Sequence, residues 1–281
     1  MANLVKKLSM KGKKGDVIHI PMPARGAAYA KAAATVVTIQ AAVESEKTVT
    51  IDKHFEYSRF IEDIAEVQGL ASFRKFYTED AGYALARQVD TSLIQLGRLS
   101  NGSTVTTTVY ANAYIGGDGT TAYDSSTDNQ SAITDAAIRR TIQRLDDNDV
   151  PMEDRYLVLP PSARNTMMGL SRFTEQAFVG ESGSNNTIRN GKIGDVYGIE
   201  VFVTSNCDDG AGGAAKIALM FHRDAVVLAE QLAVRTQTQY KQEYLSTLLT
   251  ADTLYGTAML RNSTASTDPN AASMFALAVP T

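Results

Sequence analysis

Two strand-like runs flank a long excursion of the chain that has too few large side chains to build a core of its own. The first run, residues 16–20, is closed by Pro21 and Pro23, and the second, residues 48–55, alternates with the period of two typical of a strand. The stretch between them, residues 25–43, is rich in alanine. An isolated two-stranded hairpin is marginal in water. We therefore expect this excursion to rest on something else, either the body of its subunit or a neighbouring subunit.

The local structure of the alanine-rich stretch is left open by its residues. Alanine has the highest helix propensity, which favours a helix in its first part. The β-branched run 35–39 favours an extended chain in its second part. The segment before the hairpin, residues 1–15, is lysine-rich and is interpreted as a solvated terminus, with an arm lying across a neighbouring subunit as the alternative.

Composition excludes several classes of protein. The 281 residues carry 27 basic and 31 acidic side chains, so no basic excess indicates nucleic acid as the main ligand. The single cysteine, Cys207, excludes an internal disulfide framework and favours a reducing compartment. No stretch is apolar enough to span a bilayer or to serve as a signal peptide. These features predict a protein of the cytosol with no membrane partner.

The longest predicted helix covers residues 72–96, which contain no proline. An apolar side chain recurs every four residues, and steps of four overshoot the 3.6-residue turn. The ridge therefore winds around the helix, and its two ends should pack against different partners. Lys75 and Glu79 are expected on the solvent side. The ridge consists of Phe73, Tyr77, Ala81, Leu85, Val89 and Leu93, and its expected partners in the C-terminal strands are Leu248, Leu254 and Leu260.

The remaining elements occur in mixed order, which indicates an α+β fold rather than a regular βαβ repeat. Thr134 is a good N-cap for a second helix that Asn148 and Pro151 end, with Ile133 and Ile138 as its hydrophobic staple. The other predicted elements are a loop at 101–129 with a strand-like run at 105–109, strands at 156–159, 199–203 and 217–221, helices starting at 160–162 and over 223–231, and strands within 234–260.

No catalytic or metal-binding pattern stands out. His19, His54 and His222 lack metal-ligand spacing, and Cys207 lies in an acidic turn that disfavours a thiolate. The glycine-rich stretch 210–213 leads into a strand, whereas a dinucleotide fingerprint must open a helix. One acidic cluster is a candidate cation site, although a solvated helix end is the favoured interpretation: Asp146, Asp147, Asp149, Glu153 and Asp154. The sequence thus predicts no enzyme and no cofactor, with a cytosolic enzyme of unrecognised site as a remote alternative.

The order of elements resembles that of the major capsid proteins of tailed bacteriophages, especially the short-tailed, podovirus-like branch. Residues 15–21 and 48–55 resemble the entry and return strands of the family's extended loop, and 77–86 resembles its spine helix. Residues 148–161, and 188–194 followed by 197–201, are similar to stretches of the axial domain. The same fold also serves encapsulin shells, which makes an encapsulin-like protein compartment the alternative.

The resemblance implies a capsid fold with four parts. These are an N-terminal arm (1–14), an extended loop hairpin (15–56), a peripheral domain with the spine helix (57–130 and 231–281) and an axial domain (131–230). It implies hexamers and pentamers that form an icosahedral shell around phage DNA, which is enclosed without sequence-specific binding. The shell would belong to the virion, assemble in the host cytoplasm and meet portal, scaffolding or decoration proteins. The expected subunit-interface residues are His19, Pro21, Arg25, Tyr29, Lys31 and Thr50.

Overall fold

The computed structural model describes residues 1–23, 28–37, 39, 44–69, 73–97, 113–124, 127, 129–170, 194–210, 213–261 and 273–281. The predicted run at 105–109 and residues 188–193 of one family-like stretch lie outside these ranges. The helices are α1 (Asp63–Gln68), α2 (Phe73–Ile94), α3 (Asp135–Asp147) and α4 (Pro161–Met168). The strands are β1 (Lys6–Ser9), β2 (Val17–Pro23), β3 (Glu44–Thr50), β4 (Lys53–Glu62), β5 (Ala113–Ile115), β6 (Arg155–Leu159), β7 (Asp195–Val196), β8 (Ile199–Val203), β9 (Ala215–His222), β10 (Val226–Lys241), β11 (Ser246–Met259) and β12 (Met274–Pro280).

The strands form two sheets and a separate ribbon, so the predicted α+β class is confirmed. A four-stranded sheet has the order β1-β10-β11-β4, and a six-stranded sheet has the order β5-β12-β9-β6-β8-β7. In the part of the chain that the structure describes, the ribbon consists of β2 and β3. Helix α2 packs on the four-stranded sheet, and a core between the two sheets contains Leu93, Phe221 and Tyr255.

Sheet membership departs from the domain boundaries expected from the sequence. Strands β5 and β12 pair within the six-stranded sheet, although both lie in the ranges assigned to the peripheral domain. Strand β10 starts at Val226, inside the range assigned to the axial domain, yet it belongs to the four-stranded sheet. The domain division itself stays a prediction.

The helix predicted over 223–231 is wrong. Residues Arg223–Ala225 form a single 3-10 turn, and the chain continues as β10 from Val226. Val226, Val227, Leu228 and Ala229 are all fully buried, whereas a surface helix would expose one of its sides. Strand pairing with β1 on one edge and β11 on the other therefore overrides the helix propensity of this segment.

The start of the chain is folded onto the body, so its interpretation as a solvated terminus is wrong. Strand β1 pairs in parallel with Val227–Glu230 of β10, and Val5 just before it is 1% exposed. Lys6 and Lys7 remain exposed. The charged side chains thus occupy the solvent side of this segment. Their number makes the segment look fully solvated in the sequence, although Val5 is buried.

Both predicted properties of the long helix are confirmed. Ala81 and Leu85 are buried against Ala251 of β11, whereas Leu93 belongs to the core between the sheets, so the ends of the ridge meet different partners. Lys75 and Glu79 are exposed and form an ion pair of 4.0 Å.

The strand residues expected to contact this helix are wrong by one position. Leu254 and Leu260 pack with Val49 and Val227 in a separate cluster, and Leu248 is not among the residues that pack on α2. Side chains alternate along a strand, so Ala251 and Tyr255 share the face toward α2 while Leu248 and Leu254 lie on the opposite one. A one-residue error in phase exchanges the two faces.

The second predicted helix has the expected boundaries. The Thr134 hydroxyl accepts a hydrogen bond from the amide of Ala137 at 3.3 Å, and Ile133 and Ile138 are both buried. Asn148 is the C-cap. This helix covers the six-stranded sheet through a cluster that includes Leu145, Leu157 and Phe275.

Candidate subunit interface

The base of the β2–β3 hairpin is anchored to its own subunit. The strands pair in register from Val17 opposite Thr50 to Pro23 opposite Glu44. One face of the ribbon packs on the four-stranded sheet through a cluster formed by Ile18, Ile20, Val49, Ile51, Val227, Ala229 and Leu260. The hairpin is therefore held at its base, and only the part beyond this cluster is available to project.

The predicted return strand 48–55 is two strands. Strand β3 ends at Thr50, and β4 starts at Lys53 in the four-stranded sheet. The break lies where the chain crosses Gly256 of β11, since a Cβ atom at Gly256 would collide with the backbone carbonyl of Thr50. A glycine at this position allows the two backbones to touch, and the chain changes sheet there.

Pro21 and Pro23 do not end the first strand, contrary to the sequence-based expectation. The amide of Ile51 donates to the carbonyl of Asp16 at 2.7 Å, so the even-numbered residues of β2 exchange hydrogen bonds with β3. The odd-numbered residues point their backbone groups away from the partner strand. Both prolines occupy such positions, where no amide hydrogen is needed.

The described part of the alanine-rich excursion lies in solvent. Residues 28–37 and 39 form neither a helix nor a strand, and all of them are exposed. Val36 is 91% exposed, Ile39 is 88% exposed and Tyr29 is 64% exposed. Large apolar side chains this open to water mark a surface whose burial against another surface lowers the free energy.

Three of the six expected interface residues share one face of the ribbon. His19, Pro21 and Thr50 occupy positions whose side chains lie on the same side of β2–β3, opposite the anchored face, and all three are exposed. The His19 Nδ1 atom lies 3.1 Å from a carboxylate oxygen of Glu46 on this face. Tyr29 and Lys31 belong to the exposed excursion instead, and Arg25 lies outside the described residues.

A second exposed apolar patch, which the sequence analysis missed, lies at the far end of the four-stranded sheet. The rings of Phe60 and Tyr244 are 5.2 Å apart, and the amide of Asp63 donates to the carbonyl of Leu245. Leu245 is 67% exposed and has a left-handed backbone with φ of 43°, which is unusual for a residue other than glycine. Sequence spacing alone does not reveal the patch, because its members come from β4 and from the β10–β11 turn.

An ion-pair cluster joins three strands of the same sheet. Arg235 of β10 donates to both carboxylate oxygens of Asp252 of β11, at 2.8 and 3.0 Å. The Nε2 atom of His54 on β4 lies 3.3 Å from the same carboxylate. The hydrogen bonds from Arg235 hold the pKa of Asp252 below its ordinary value. This cluster clamps the sheet where the ladder of β10 has its register shifts, between Glu230 and Arg235.

The groups considered for chemistry are held by burial or by paired neighbours. Burial raises the pKa of the Cys207 thiol to about 12, which leaves it protonated. Burial also lowers the pKa of His222, whose Nδ1 atom accepts from the amide of Asp224. In the acidic segment, Asp146 pairs with Arg155 at 2.7 Å. Within the described ranges, no group of three His, Cys, Asp or Glu side chains is arranged to hold a metal ion.

None of the described helices has the length and apolarity needed to cross a membrane.

Comparison with known proteins gives one family and many related structures. A family model described as phage capsid protein matches residues 3–264. A structure from Mycobacterium phage Che8 superposes with a TM-score of 0.69 at 21% identity, over 98% of this chain and 89% of that chain. The capsid of cyanophage P-SCSP1u gives a TM-score of 0.69 at 19% identity, over 98% of this chain and 86% of that chain. The capsid of Ralstonia phage GP4 gives a TM-score of 0.67 at 16% identity, over 99% of this chain and 87% of that chain. No curated protein sequence matches the chain.

Proposed function

The chain belongs to the phage capsid protein family, and we propose that the exposed part of its β2–β3 hairpin joins it to a neighbouring copy in the shell. As a major capsid protein it is a structural subunit that assembles with copies of itself. The observation that carries the proposal is the exposure of Val36 and Ile39 on a segment with no core of its own. Covering a Val or Ile side chain contributes about 1.5–3 kcal/mol. Each subunit of a closed shell repeats the contact, so the free energies of the individual contacts sum over the shell.

The shell we propose is icosahedral, is built from hexamers and pentamers, and encloses phage DNA. The formal net charge of -4 supports enclosure without tight binding, since phosphate contacts require an excess of Lys and Arg. Assembly takes place in the host cytoplasm, and portal, scaffolding or decoration proteins are the expected additional partners. The family match favours a DNA-containing shell over the encapsulin-like compartment.

The proposed contact surface has two parts. The exposed face of the ribbon contributes His19, Pro21 and Thr50, and the excursion contributes Tyr29 and Lys31 together with Arg25. The anchored base supports this arrangement, because it orients the ribbon before a neighbour arrives. The division into a peripheral domain (57–130 and 231–281) and an axial domain (131–230) completes the proposal. Strands β5 and β12 of the peripheral ranges then contribute to the six-stranded sheet, and β10 extends from the axial range within the four-stranded sheet.

We also propose that shell formation uses no catalytic residue. His19, His54 and His222 lie on the ribbon, on β4 and at the end of β9, so they do not form one site. Single substitutions of these residues or of Cys207 by Ala should alter stability or assembly at most. A chemical step during assembly that is abolished by one of these four substitutions would contradict this part of the proposal.

The hairpin proposal is tested with a double substitution, Val36→Ser with Ile39→Ser. We expect the subunit to keep its melting temperature, since both side chains are exposed in the subunit, while sedimentation shows loss of shells and accumulation of subunits. Glu79→Ala is the matched control, because it also changes an exposed side chain but lies on α2. Shell yields equal to wild type in the double variant would show that the excursion forms no essential contact.

A further inference from the structure

Strand β10 leaves a long backbone edge open. Its inner edge pairs with β11 as far as Lys241, whereas β1 covers its outer edge only along Val227–Glu230. From residue 232 to residue 241, no other strand of the described chain pairs with this edge. Every side chain from 233 to 240 is exposed. Unpaired backbone amides and carbonyls along an exposed strand edge are a template for another strand.

The β2–β3 ribbon has two outer edges, and they differ in their ability to accept a new strand. The outer edge of β2 carries Pro21 and Pro23 at positions whose backbone points outward, so it lacks the amide hydrogens that a ladder needs there. On β3, the directly opposite outward positions include Glu46 and Thr48, which retain their amide hydrogens. Prolines are a common means of protecting an edge. The ribbon is therefore protected on β2, whereas the outer edge of β3 is open along residues 44–48, up to the Thr50 carbonyl that lies against Gly256 of β11.

We propose that β3 of one copy pairs edge to edge with the open part of β10 of a second copy, which extends the four-stranded sheet across the subunit boundary. This inference rests on the proposed function, because it specifies where the hairpin of one copy meets its neighbour. Residues 44–48 of β3 offer an outer edge, and the open part of β10, residues 232–241, is long enough to receive them.

The charges of the two edges are complementary. The segment 233–241 contains no carboxylate and has Lys241 as a cation besides Arg235, which is paired with Asp252 of its own subunit, whereas β3 contains Glu44 and Glu46 with one lysine. The remaining side chains at 236–239 are Thr and Gln, which keep the edge soluble before assembly. Opposite charges across strands stabilise a pair, and the same charges disfavour β10 pairing with β10 of another copy.

The contact is heterologous, since two different surfaces of the chain meet. Heterologous contacts generate closed rings when the rotation between copies closes. A symmetric contact between two β10 edges would instead give a dimer. Pairing of β3 with β10 therefore fits the hexamers and pentamers of the proposed shell.

Disulfide trapping tests the pairing. In a Cys207→Ala background, Thr48→Cys subunits are mixed in turn with Gln237→Cys, Thr238→Cys or Gln239→Cys subunits, assembled and oxidised. A disulfide requires Cα atoms about 4.4–6.8 Å apart, so at least one of the three mixtures should give a covalent dimer. Lys75→Cys on α2, mixed with the same β10 variants, is the control and should give none.

The outcomes separate the pairing from the proposed function. Shells without a covalent dimer in any of the three mixtures would overturn the β3–β10 pairing while the capsid function stands. A covalent dimer in a sample that contains Thr238→Cys subunits but no Thr48→Cys subunits would also overturn it, in favour of contact between two β10 edges. Wild-type protein that forms no shell at all would contradict both.

A backbone substitution gives an independent readout. Thr48→Pro removes one outward amide hydrogen of β3 without removing a β2–β3 hydrogen bond, so the subunit should keep its melting temperature and lose shell yield. Shell yield equal to wild type would count against the pairing.

Discussion

The hydroxyl oxygens of Ser92 and Tyr255 lie 2.9 Å apart in the core between α2 and β11. Tyr255 is 1% exposed, and burial raises the pKa of its phenol, so it stays a neutral hydrogen-bonding partner at physiological pH. This contact fixes which face of β11 meets the helix. Because β11 is also paired with β10 and β4, the contact fixes the position of the long helix on the whole four-stranded sheet.

Removing one partner of this pair should destabilise the subunit. Tyr255→Phe keeps the ring but leaves the Ser92 hydroxyl without its buried partner, which costs about 1–3 kcal/mol. Adding Ser92→Ala to Tyr255→Phe should cost less than the sum of the two single substitutions. Urea unfolding of all three variants measures the coupling. Strictly additive losses would indicate that the hydroxyl groups do not interact.

Truncation of the helix ridge should be costly where it is buried. Leu85 is 3% exposed and packs against Ala251, and a buried Leu→Ala substitution costs about 2–5 kcal/mol. We expect Leu85→Ala to lower the melting temperature and the shell yield together. Lys75→Ala and Glu79→Ala serve as controls, because exposed ion pairs contribute little. Equal damage from a control variant would mean that the buried and exposed faces are assigned wrongly.

Two glycines should respond in opposite directions to the same change. Gly256→Ala places a methyl group against the carbonyl of Thr50 and should destabilise the subunit strongly. Gly82→Ala adds a methyl group on α2 where no atom lies within 4 Å, and helix propensity should then stabilise by up to about 1 kcal/mol. Calorimetry of the two variants gives the comparison. A Gly256→Ala protein as stable as wild type would contradict the close crossing of the hairpin over β11.

The ion-pair cluster predicts a pH dependence with a definite sign. A carboxyl whose folded-state pKa is lowered stabilises the fold above its ordinary pKa, which for Asp252 is 3.8. That contribution is lost as the pH falls below 3.8 through the lower folded-state value. Asp252→Asn should therefore be less stable than wild type at neutral pH, and the difference should shrink in this acid range. The exposed Asp195→Asn is the control, and a difference that grows with acid would contradict the assignment.

Local signals in the sequence were sufficient where a single element determines its own boundaries. Thr134 caps α3 through its own side chain, and the four-residue spacing from Phe73 to Leu93 defines α2 without reference to other elements. That the excursion has no core of its own followed from its small side chains, whereas the sequence left open whether it rests on its own subunit or on a neighbour. Each of these features depends on residues close together in the chain.

Features that depend on distant residues were mispredicted. Whether Leu254 or Tyr255 faces α2 depends on the pairing of β11 with β10 and β4, and a period of two gives the alternation but not its phase. Strand pairing likewise decides that 226–231 is extended. The break after Thr50 depends on Gly256, about two hundred residues further along the chain. The β10 edge became visible only once its neighbours in the sheet were known.

Electron microscopy of the purified protein under assembly conditions tests the central claim most directly, which is that this chain builds a shell through its projecting hairpin. Wild-type protein should form closed particles with hexamers and pentamers, and density for the β2–β3 hairpin of each subunit should lie on an adjacent subunit. Particles in which residues 28–39 fold back onto their own subunit would contradict the role of the hairpin. Subunits that remain monomeric under every assembly condition would contradict the account as a whole.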